Sequence, residues 1–332
     1  MKRIRFYIDQ NKKKIHKASY GETEGVLSGV KGFDKLTNGF QPSELIVIGA
    51  RPSMGKTSLA ISIARHIAVE RKEPVGFISL QMPAMKLVSR FISQETGFNS
   101  LKLVKGSLEK HEWDILHVKT KELEKSSIFI EDSPKMILAN LIEKCEEMVE
   151  KHNVKCIFID YLQLIDPLPS RYNLGNREQE ISMIIRNLKR TALKLKISII
   201  SLSQLSRAVE NRGGSKRPLL SDLRDSGAIE QHADIVGFIY RPEYYKIDEW
   251  DDENQSSCSG QAELTIAKHN NGNLDNIKLA FNSNTGKFSD LNFESPFDFN
   301  SRFSDDDGSS PLLVVVVFFF VLLVNSINES EK

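Results

Sequence analysis

The chain has 332 residues, 40% apolar and 27% charged, with 45 Lys and Arg against 44 Asp and Glu for a net charge of +1. That length buries a substantial core, as one large domain with extensions or as two small ones. The balance is that of an ordinary soluble protein, and the near-zero sum argues neither for nor against nucleic acid. Cys145, Cys156 and Cys258 lack close metal-ligand spacing, which argues against a cysteine metal site and fits free thiols in a reducing compartment. No apolar stretch follows the basic start, so no secretory signal is expected and the expected location is the cytoplasm.

The first seventeen residues carry Lys2, Arg3, Arg5, Lys12, Lys13, Lys14 and Lys17 against Asp9 alone; they read as a solvated arm, the end of a broken helix, or a binding patch. The apolar run Leu45 to Ile48 then closes into Ala50-Arg51-Pro52-Ser53-Met54-Gly55-Lys56-Thr57, and Ser58 to Ala64 continues with a helix-like pattern. A strand, a tight loop and a helix N-terminus in that order make a phosphate-binding loop. Ala50 stands where the common pattern has glycine, although Gly49 precedes it. Further apolar strands are expected at Val75 to Leu80, Ser127 to Ile130, Cys156 to Asp160, Ile197 to Leu202 and Ile235 to Tyr240. Between the third and fourth of these six runs, Leu138, Leu141, Ile142, Cys145, Met148 and Val149 recur at helical spacing, with Asp132 or Ser133 as the cap. A second amphipathic helix is expected from about Glu178 to Leu195, and Asn271-Gly272-Asn273 separates Glu263 to Lys268 from Ile277 to Phe281 as a hairpin.

Buried strands alternating with helices predict an α/β fold with a mostly parallel central sheet flanked by helices and a C-terminal hairpin. The expected division is a basic arm over 1–25, one α/β domain over 26–292, and a polar and acidic linker with an anomalous tail over 293–332. In that tail, Leu312 through Val324 are thirteen unbroken apolar residues. As a helix they rise only about 20 Å, short of the roughly 20 residues a bilayer requires. A sticky tail, a docking segment and an anchor remain open there, and no membrane association is expected of the protein.

Hydrolysis of a nucleoside triphosphate needs a phosphate cradle, a magnesium ligand, a group that positions water, and cations for the developing charge. Lys56 suits the β- and γ-phosphates, and the Thr57 hydroxyl suits magnesium. Asp160 ends an apolar strand, which places a carboxylate at the sheet edge beside the loop. Gln204 follows the strand ending in Leu202 and points an amide to the same edge, either sensing the γ-phosphate or capping the next turn. Arg207, Arg212, Lys216, Arg217 and Arg224 cluster around Gly213-Gly214, a segment suited either to nucleic-acid phosphate or to solvent.

Over roughly residues 26 to 292 the sequence resembles the motor domain of the bacterial replicative DNA helicases, the DnaB family. The resemblance rests on Gly39 to Leu45, the loop from Ala50 to Thr57, Asp160-Tyr161-Leu162-Gln163-Leu164, and Asn176 to Ile181. It is most specific from Ser203-Gln204-Leu205-Ser206-Arg207 through Ser221-Asp222-Leu223-Arg224-Asp225-Ser226-Gly227 to Tyr240-Arg241-Pro242-Glu243-Tyr244-Tyr245. It implies a RecA-like P-loop NTPase fold, assembled as a homo-hexameric ring around single-stranded DNA, with ATP and Mg2+ between neighbouring subunits. By the same resemblance Ser53, Gly55, Lys56, Thr57 and Ser58 hold the nucleotide, Thr57 and Asp160 the metal, and Gln204 senses the γ-phosphate. Arg90 matches an arginine near the site, Arg224, Asp225 and Gly227 a loop that holds the DNA backbone, and Lys268 a lysine that reaches into the neighbouring subunit's ATP site.

Two departures from the family pattern fall on the chemistry. Gln81, in Phe77-Ile78-Ser79-Leu80-Gln81-Met82, stands where the family has the glutamate that activates water, and an amide cannot take the proton. Asn270 stands where the family has a trans-acting arginine, and a neutral amide cannot stabilise the charge of the transition state as a guanidinium does. Only about twenty-five residues precede the expected motor domain, so the basic arm reads as a remnant of the family's linker helix. The resemblance therefore implies an ATP-dependent replicative helicase. The alternative is an ATP- and DNA-binding ring component with little hydrolysis, for which a mixed ring could supply the missing arginine. No primase or helicase-loader contact is legible in these residues.

Overall fold

The apolar runs become strands of one sheet, and the amphipathic stretches between them become the helices that cover it. The structure, a computed structural model, describes residues 3–20, 23–168, 176–213, 215–223, 226–253 and 255–291. In chain order the elements are α1 (Ile4–Ser19), α2 (Lys31–Thr37), β1 (Leu45–Ala50), α3 (Lys56–Arg65) with a π-helical turn (His66–Glu70), β2 (Val75–Ser79), α4 (Ala84–Thr96), α5 (Ser100–Lys105) and α6 (Lys110–Glu124). Then come β3 (Ile128–Glu131), α7 (Leu138–His152), β4 (Cys156–Asp160), α8 (Arg177–Leu195), β5 (Ser198–Gln204) and α9 (Ala208–Asn211). The chain continues with α10 (Ser226–His232), β6 (Ile235–Tyr240), β7 (Gln261–His269), β8 (Asp275–Asn282) and β9 (Lys287–Asp290).

The sheet order is β3-β2-β4-β5-β1-β6-β7-β8-β9. The strands from β3 to β6 pair in parallel, and β6 through β9 pair antiparallel. Every residue of β1, β2, β4 and β6 is buried, which is why those strands read as unbroken apolar runs rather than alternating ones. Alternate residues of β1 serve opposite faces. Ile46 and Ile48 join a core with Phe33, Leu59, Phe91 and Phe158, whereas Leu45 and Val47 join one with Leu141, Ile184 and Ile229.

The six expected parallel strands and the hairpin are present, with ends differing by a residue or two. The cap expected for α7 is not. Ile137 occupies the N-cap without a side-chain bond, because the chain first pairs with Asp166, whose carbonyl accepts the Leu138 N–H at 2.8 Å. Asp132 instead accepts the Ala84 N–H at 2.6 Å, at the start of α4, and the Ser133 hydroxyl bonds Glu131. The segment from α4 to α6 and strand β9 carry no assignment from sequence. α1 holds the basic arm as a helix with Ile4, Ile8 and Ile15 exposed. The expected linker and the apolar run from 312 to 324 lie outside the described residues.

Phe158 on β4 is fully buried, with its ring centroid 5.8 Å from Phe77 and 6.4 Å from Phe40. Phe158→Ala opens a cavity between the sheet and the α2–α3 layer and is expected to cost about 3–5 kcal/mol in chemical denaturation. A loss below about 1 kcal/mol would contradict this packing.

Candidate functional site

Parallel strands bring their carboxyl ends to one edge. β1 runs into the loop 51–55, and two residues in that loop hold left-handed backbone, Ser53 at φ 65° and Gly55 at φ 97°. Such a loop turns backbone N–H groups inward and delivers them to the N-terminus of α3, an anion-binding arrangement. Glycine is required at 55. Its φ is positive, and a Cβ would lie 2.9 Å from the ring of Phe288. Met54, fully buried, pins the loop to the core.

At the same edge β4 ends in Asp160, whose Oδ2 accepts the Thr57 hydroxyl at 2.6 Å. Asp160 has no exposed surface, and its Oδ1 is buried without a hydrogen-bond partner. Burial raises the Asp160 pKa above the ordinary carboxylate value, opposed by the Thr57 hydrogen bond and by the charges of Lys56 and Arg90. Burial likewise lowers Lys56, opposed by Asp160 and reinforced by Arg51. The Lys56 ammonium stands 5.2 Å over the Tyr161 ring, and the Asp160–Tyr161 peptide is cis.

An orphaned carboxylate oxygen beside a hydroxyl is a hard-oxygen donor pair that fits a magnesium-sized cation keeping its other ligands from water and phosphate. Among the described residues no cluster of three His, Cys, Asp or Glu side chains forms a protein-only metal site. A cation held by Thr57 and Asp160 would need its remaining ligands from water or an anionic ligand.

The remaining predicted residues divide between the two edges of the sheet. Gln81 lies just beyond β2, one residue after Leu80, whose N–H donates to the Asp160 carbonyl at 2.8 Å; its side chain is exposed. Arg90 on α4 is exposed and close enough to act on Asp160 electrostatically. Gln204 ends β5 and donates its N–H to the Gln163 side chain at 3.1 Å. Together with Arg51, Tyr161, Gln163, Leu205 and Arg207 it lines a cleft of about 350 Å³ beside the loop. Ser58, on the first turn of α3, accepts the Gln94 side-chain amide on its carbonyl at 3.1 Å.

Lys268 and Asn270 are not brought to this edge. β7 runs antiparallel to β6 with His269 opposite Ile235, so both lie at the amino ends of β1 and β6. There Lys268 donates to the carbonyls of Glu230 and Ala233, and the Asn270 side chain donates to Asp234 at 3.3 Å. A role for them in nucleotide chemistry requires a second subunit.

The basic segment is less free than its composition implies. Arg212 pairs with buried Asp222, and Lys216 donates to the carbonyls of Glu210 and Arg212. Arg217 pairs with Asp251 and with buried Glu263, and lies 5.4 Å from the Tyr240 ring and 5.7 Å from that of Trp250. Gly227 is exposed at the start of α10, and Arg224 and Asp225 lie outside the described residues.

Two arginines at the nucleotide edge carry no role from sequence. Arg51, only 6% exposed, donates to Glu210 and to the Leu205 carbonyl. Arg241 lies 3.8 Å from the Phe281 ring and donates weakly to the Ser53 carbonyl at 3.4 Å, with its Nε buried and unpartnered. Each sits inside a motif quoted above, yet a spacing pattern fixes loop backbone and says nothing of where a long side chain reaches.

With this geometry, the match to known proteins is decisive: the model of the DnaB-like helicase C-terminal domain matches residues 25–290. The chain belongs to the DnaB-like helicase C-terminal domain family. It is 41% identical over 278 residues to the replicative DNA helicase DnaB of Geobacillus stearothermophilus, covering 84% of this chain and 59% of that one. It is 40% identical to the replicative DNA helicase DnaC of Bacillus subtilis, with the same shares covered. The chain thus spans about six-tenths of the length of these curated relatives. Among solved structures, one described as an ATPase domain is similar at 33% identity and TM-score 0.76, over 86% of this chain and 98% of that one. A DnaB-like replicative helicase, described with its interactions with primase, is similar at 33% identity and TM-score 0.76, over 88% of this chain and 67% of that one. The DnaB-like domain in this chain is RecA-like α/β, with the mostly parallel sheet and antiparallel C-terminal strands of those neighbours.

Because burial raises Asp160, the folded chain holds that proton more tightly than the unfolded one. The stabilisation is complete below the ordinary value of 3.8 and is lost as pH rises through the folded value, so the ionised carboxylate is a net cost at neutral pH. Asp160→Asn is expected to raise the melting temperature of the ligand-free chain by a few degrees at neutral pH, with the gain shrinking toward acid. Thermal melts from acid to neutral pH check this, and a variant that melts lower at neutral pH would contradict it.

Proposed function

We propose that the chain is the motor part of an ATP-dependent replicative DNA helicase, translocating on single-stranded DNA and separating duplex at replication forks. The observation that carries this reading is the Thr57–Asp160 pair, with its orphaned carboxylate oxygen, at a phosphate loop in a chain of the DnaB-like helicase family. ATP is the nucleotide proposed, with its β- and γ-phosphates on the loop N–H groups, Lys56 and the first turn of α3. Magnesium, when bound, neutralises phosphate charge, and Thr57 and Asp160 are the residues that would hold it.

Lys56, already partly desolvated, needs little further dehydration to pair with phosphate, and Tyr161 fixes its position. Gln204 reaches the γ-phosphate from the cleft, and Arg90 adds positive charge beside Asp160. The Arg241 guanidinium, seated 3.8 Å over the buried Phe281 ring, adds positive charge beside the loop. Arg224, Asp225 and Gly227 are proposed to hold the DNA backbone, without base reading.

The assembly proposed is a homo-hexamer, because Lys268 and Asn270 sit at the edge away from this chain's own loop and would act on a neighbour's nucleotide. A mixed ring is the alternative, and primase is a proposed partner on the strength of one solved relative alone. Three free, buried cysteines fit a cytoplasmic setting, and among the described residues no helix is long and apolar enough to cross a membrane.

A second reading is supported by Gln81 and Asn270: a ring component that binds ATP and DNA but hydrolyses little. Exposed Gln81 can orient water at the nucleotide edge without accepting its proton. Restoring both charges, Gln81→Glu with Asn270→Arg, is expected to raise ATP turnover by at least about tenfold. Lys56→Ala, in the same assay, is expected to remove nucleotide binding. An unchanged rate would overturn the roles given to positions 81 and 270, and retained ATP affinity in Lys56→Ala would overturn the placement of the site.

A further inference from the structure

The phosphate loop is tied to the far side of its cleft by the Arg51 side chain, beside the backbone bond from the Leu205 N–H to the Ala50 carbonyl at 3.1 Å. Arg51, in the second position of the loop motif, is buried and donates Nη1 to the Leu205 carbonyl at 2.8 Å, and Nε and Nη2 to Glu210 Oε1 at 2.9 and 2.8 Å. Leu205 is in turn bridged antiparallel to Leu223, and the Ser206 N–H donates to the Asp222 carbonyl at 2.9 Å. Leu223 immediately precedes Arg224 and Asp225. Two contacts therefore separate the phosphate loop from the start of the segment proposed to hold nucleic acid.

The other end of the span is fixed to the body. Arg212 clamps Asp222, whose Oδ2 also accepts the Leu219 N–H at 2.7 Å, and Arg217 is locked on buried Glu263. The Leu205–Leu223 bridge and the adjacent Ser206–Asp222 bond are the direct contacts by which a shift at Leu205 reaches Leu223. Arg51 grips that pair with a planar, rigid fork, which transmits position better than a flexible point charge. A buried guanidinium deprived of its carboxylate is costly, so Arg51 and Glu210 move together.

We propose that Arg51, held by Glu210, is a positioning residue that transmits the state of the phosphate loop to the nucleic-acid segment, so that nucleotide binding alters the grip on single-stranded DNA. This rests on the reading of the chain as a nucleotide- and DNA-binding motor. It adds a route separate from Gln204, because Arg51 belongs to the loop backbone rather than to a strand end that senses phosphate. Coupling of this kind is reciprocal: the factor by which nucleotide changes DNA affinity is the factor by which DNA changes nucleotide affinity.

The test uses the full chain and Glu210, which is 37% exposed at its side chain, stands on a four-residue helix and is given no role in holding the nucleotide. The dissociation constant for a labelled oligothymidylate is measured with and without a non-hydrolysable ATP analogue, for wild type, Glu210→Ala and Glu210→Gln. The wild-type ratio is expected to lie in the range of about 5–150 that typifies such coupling. Glu210→Ala is expected to bring it toward one and, because buried Arg51 loses its carboxylate, to lower the melting temperature, with analogue affinity in the absence of DNA unchanged. Glu210→Gln, which keeps an acceptor for Arg51, is expected to retain an intermediate ratio, and the DNA-induced change in analogue affinity should fall in step. A Glu210→Ala variant that keeps the wild-type ratio overturns the link while leaving the functional reading standing. A wild-type chain that binds neither ligand overturns the functional reading and the link with it. A wild type that binds both ligands with a ratio of one overturns the link alone.

Discussion

The parallel register of β4, β5 and β1 is the constraint on which the rest depends. Strands buried on both faces must satisfy every backbone group within the sheet, which leaves only the turns at their ends free for chemistry. Because the strands run the same way, those turns gather at one edge: the phosphate loop after β1, Gln81 after β2, Asp160 at the end of β4 and Gln204 at the end of β5. The antiparallel addition of β7 has the opposite consequence. It carries Lys268 and Asn270 to the far edge, so a site that needs them is completed only between subunits. One sheet thus carries site candidates at both of its ends, which is why the proposed assembly needs more than one subunit.

Electrostatics at the nucleotide edge follow from burial before any ligand is considered. Asp160 is pushed up and Lys56 pushed down by desolvation, and neither shift is cancelled by the partner. The pair is poised for added charge: a cation beside Asp160 and an anion beside Lys56 would each relieve a penalty already present in the fold. The far edge is organised differently. Burial and the nearby Asp234 raise Glu44 to about 7, and Lys189 joins Asp234 at 2.6 Å, so Asn270, just past β7 and bonded to Asp234, is set on a separate network.

Much of this was legible in the sequence because a buried parallel strand has a plain signature. Leu45 to Ile48 and Cys156 to Asp160 are unbroken apolar runs ending in chemistry-bearing residues, and the structure puts those ends together. The α5–α6 segment was not legible for the opposite reason. α5 buries none of its residues and α6 only Thr120, so no apolar stripe marks them; their signals are local, in Asn99, Gly97 and the Glu109–Glu112 capping box. Strand β9 is four residues long with only Phe288 buried, too short for a period to show. The cluster from Arg207 to Arg224 misled in a further way. Charge counts cannot see that Arg212 and Arg217 face buried carboxylates contributed by Asp222 and Glu263, the latter 46 residues away. The reach of Arg51 across the cleft was invisible for the same reason: an ion pair between distant segments leaves no mark on spacing.

The central claim is that this edge, despite a neutral Gln81 and with a second subunit completing the site, drives work on DNA. The most direct measurement is ATP hydrolysis by the purified chain with and without single-stranded DNA, with its mass in solution recorded under the same conditions. The account predicts turnover that rises with DNA in a species of six subunits. Tight ATP binding with no turnover in that same ring would contradict it, and would make the chain a nucleotide-holding component rather than a motor.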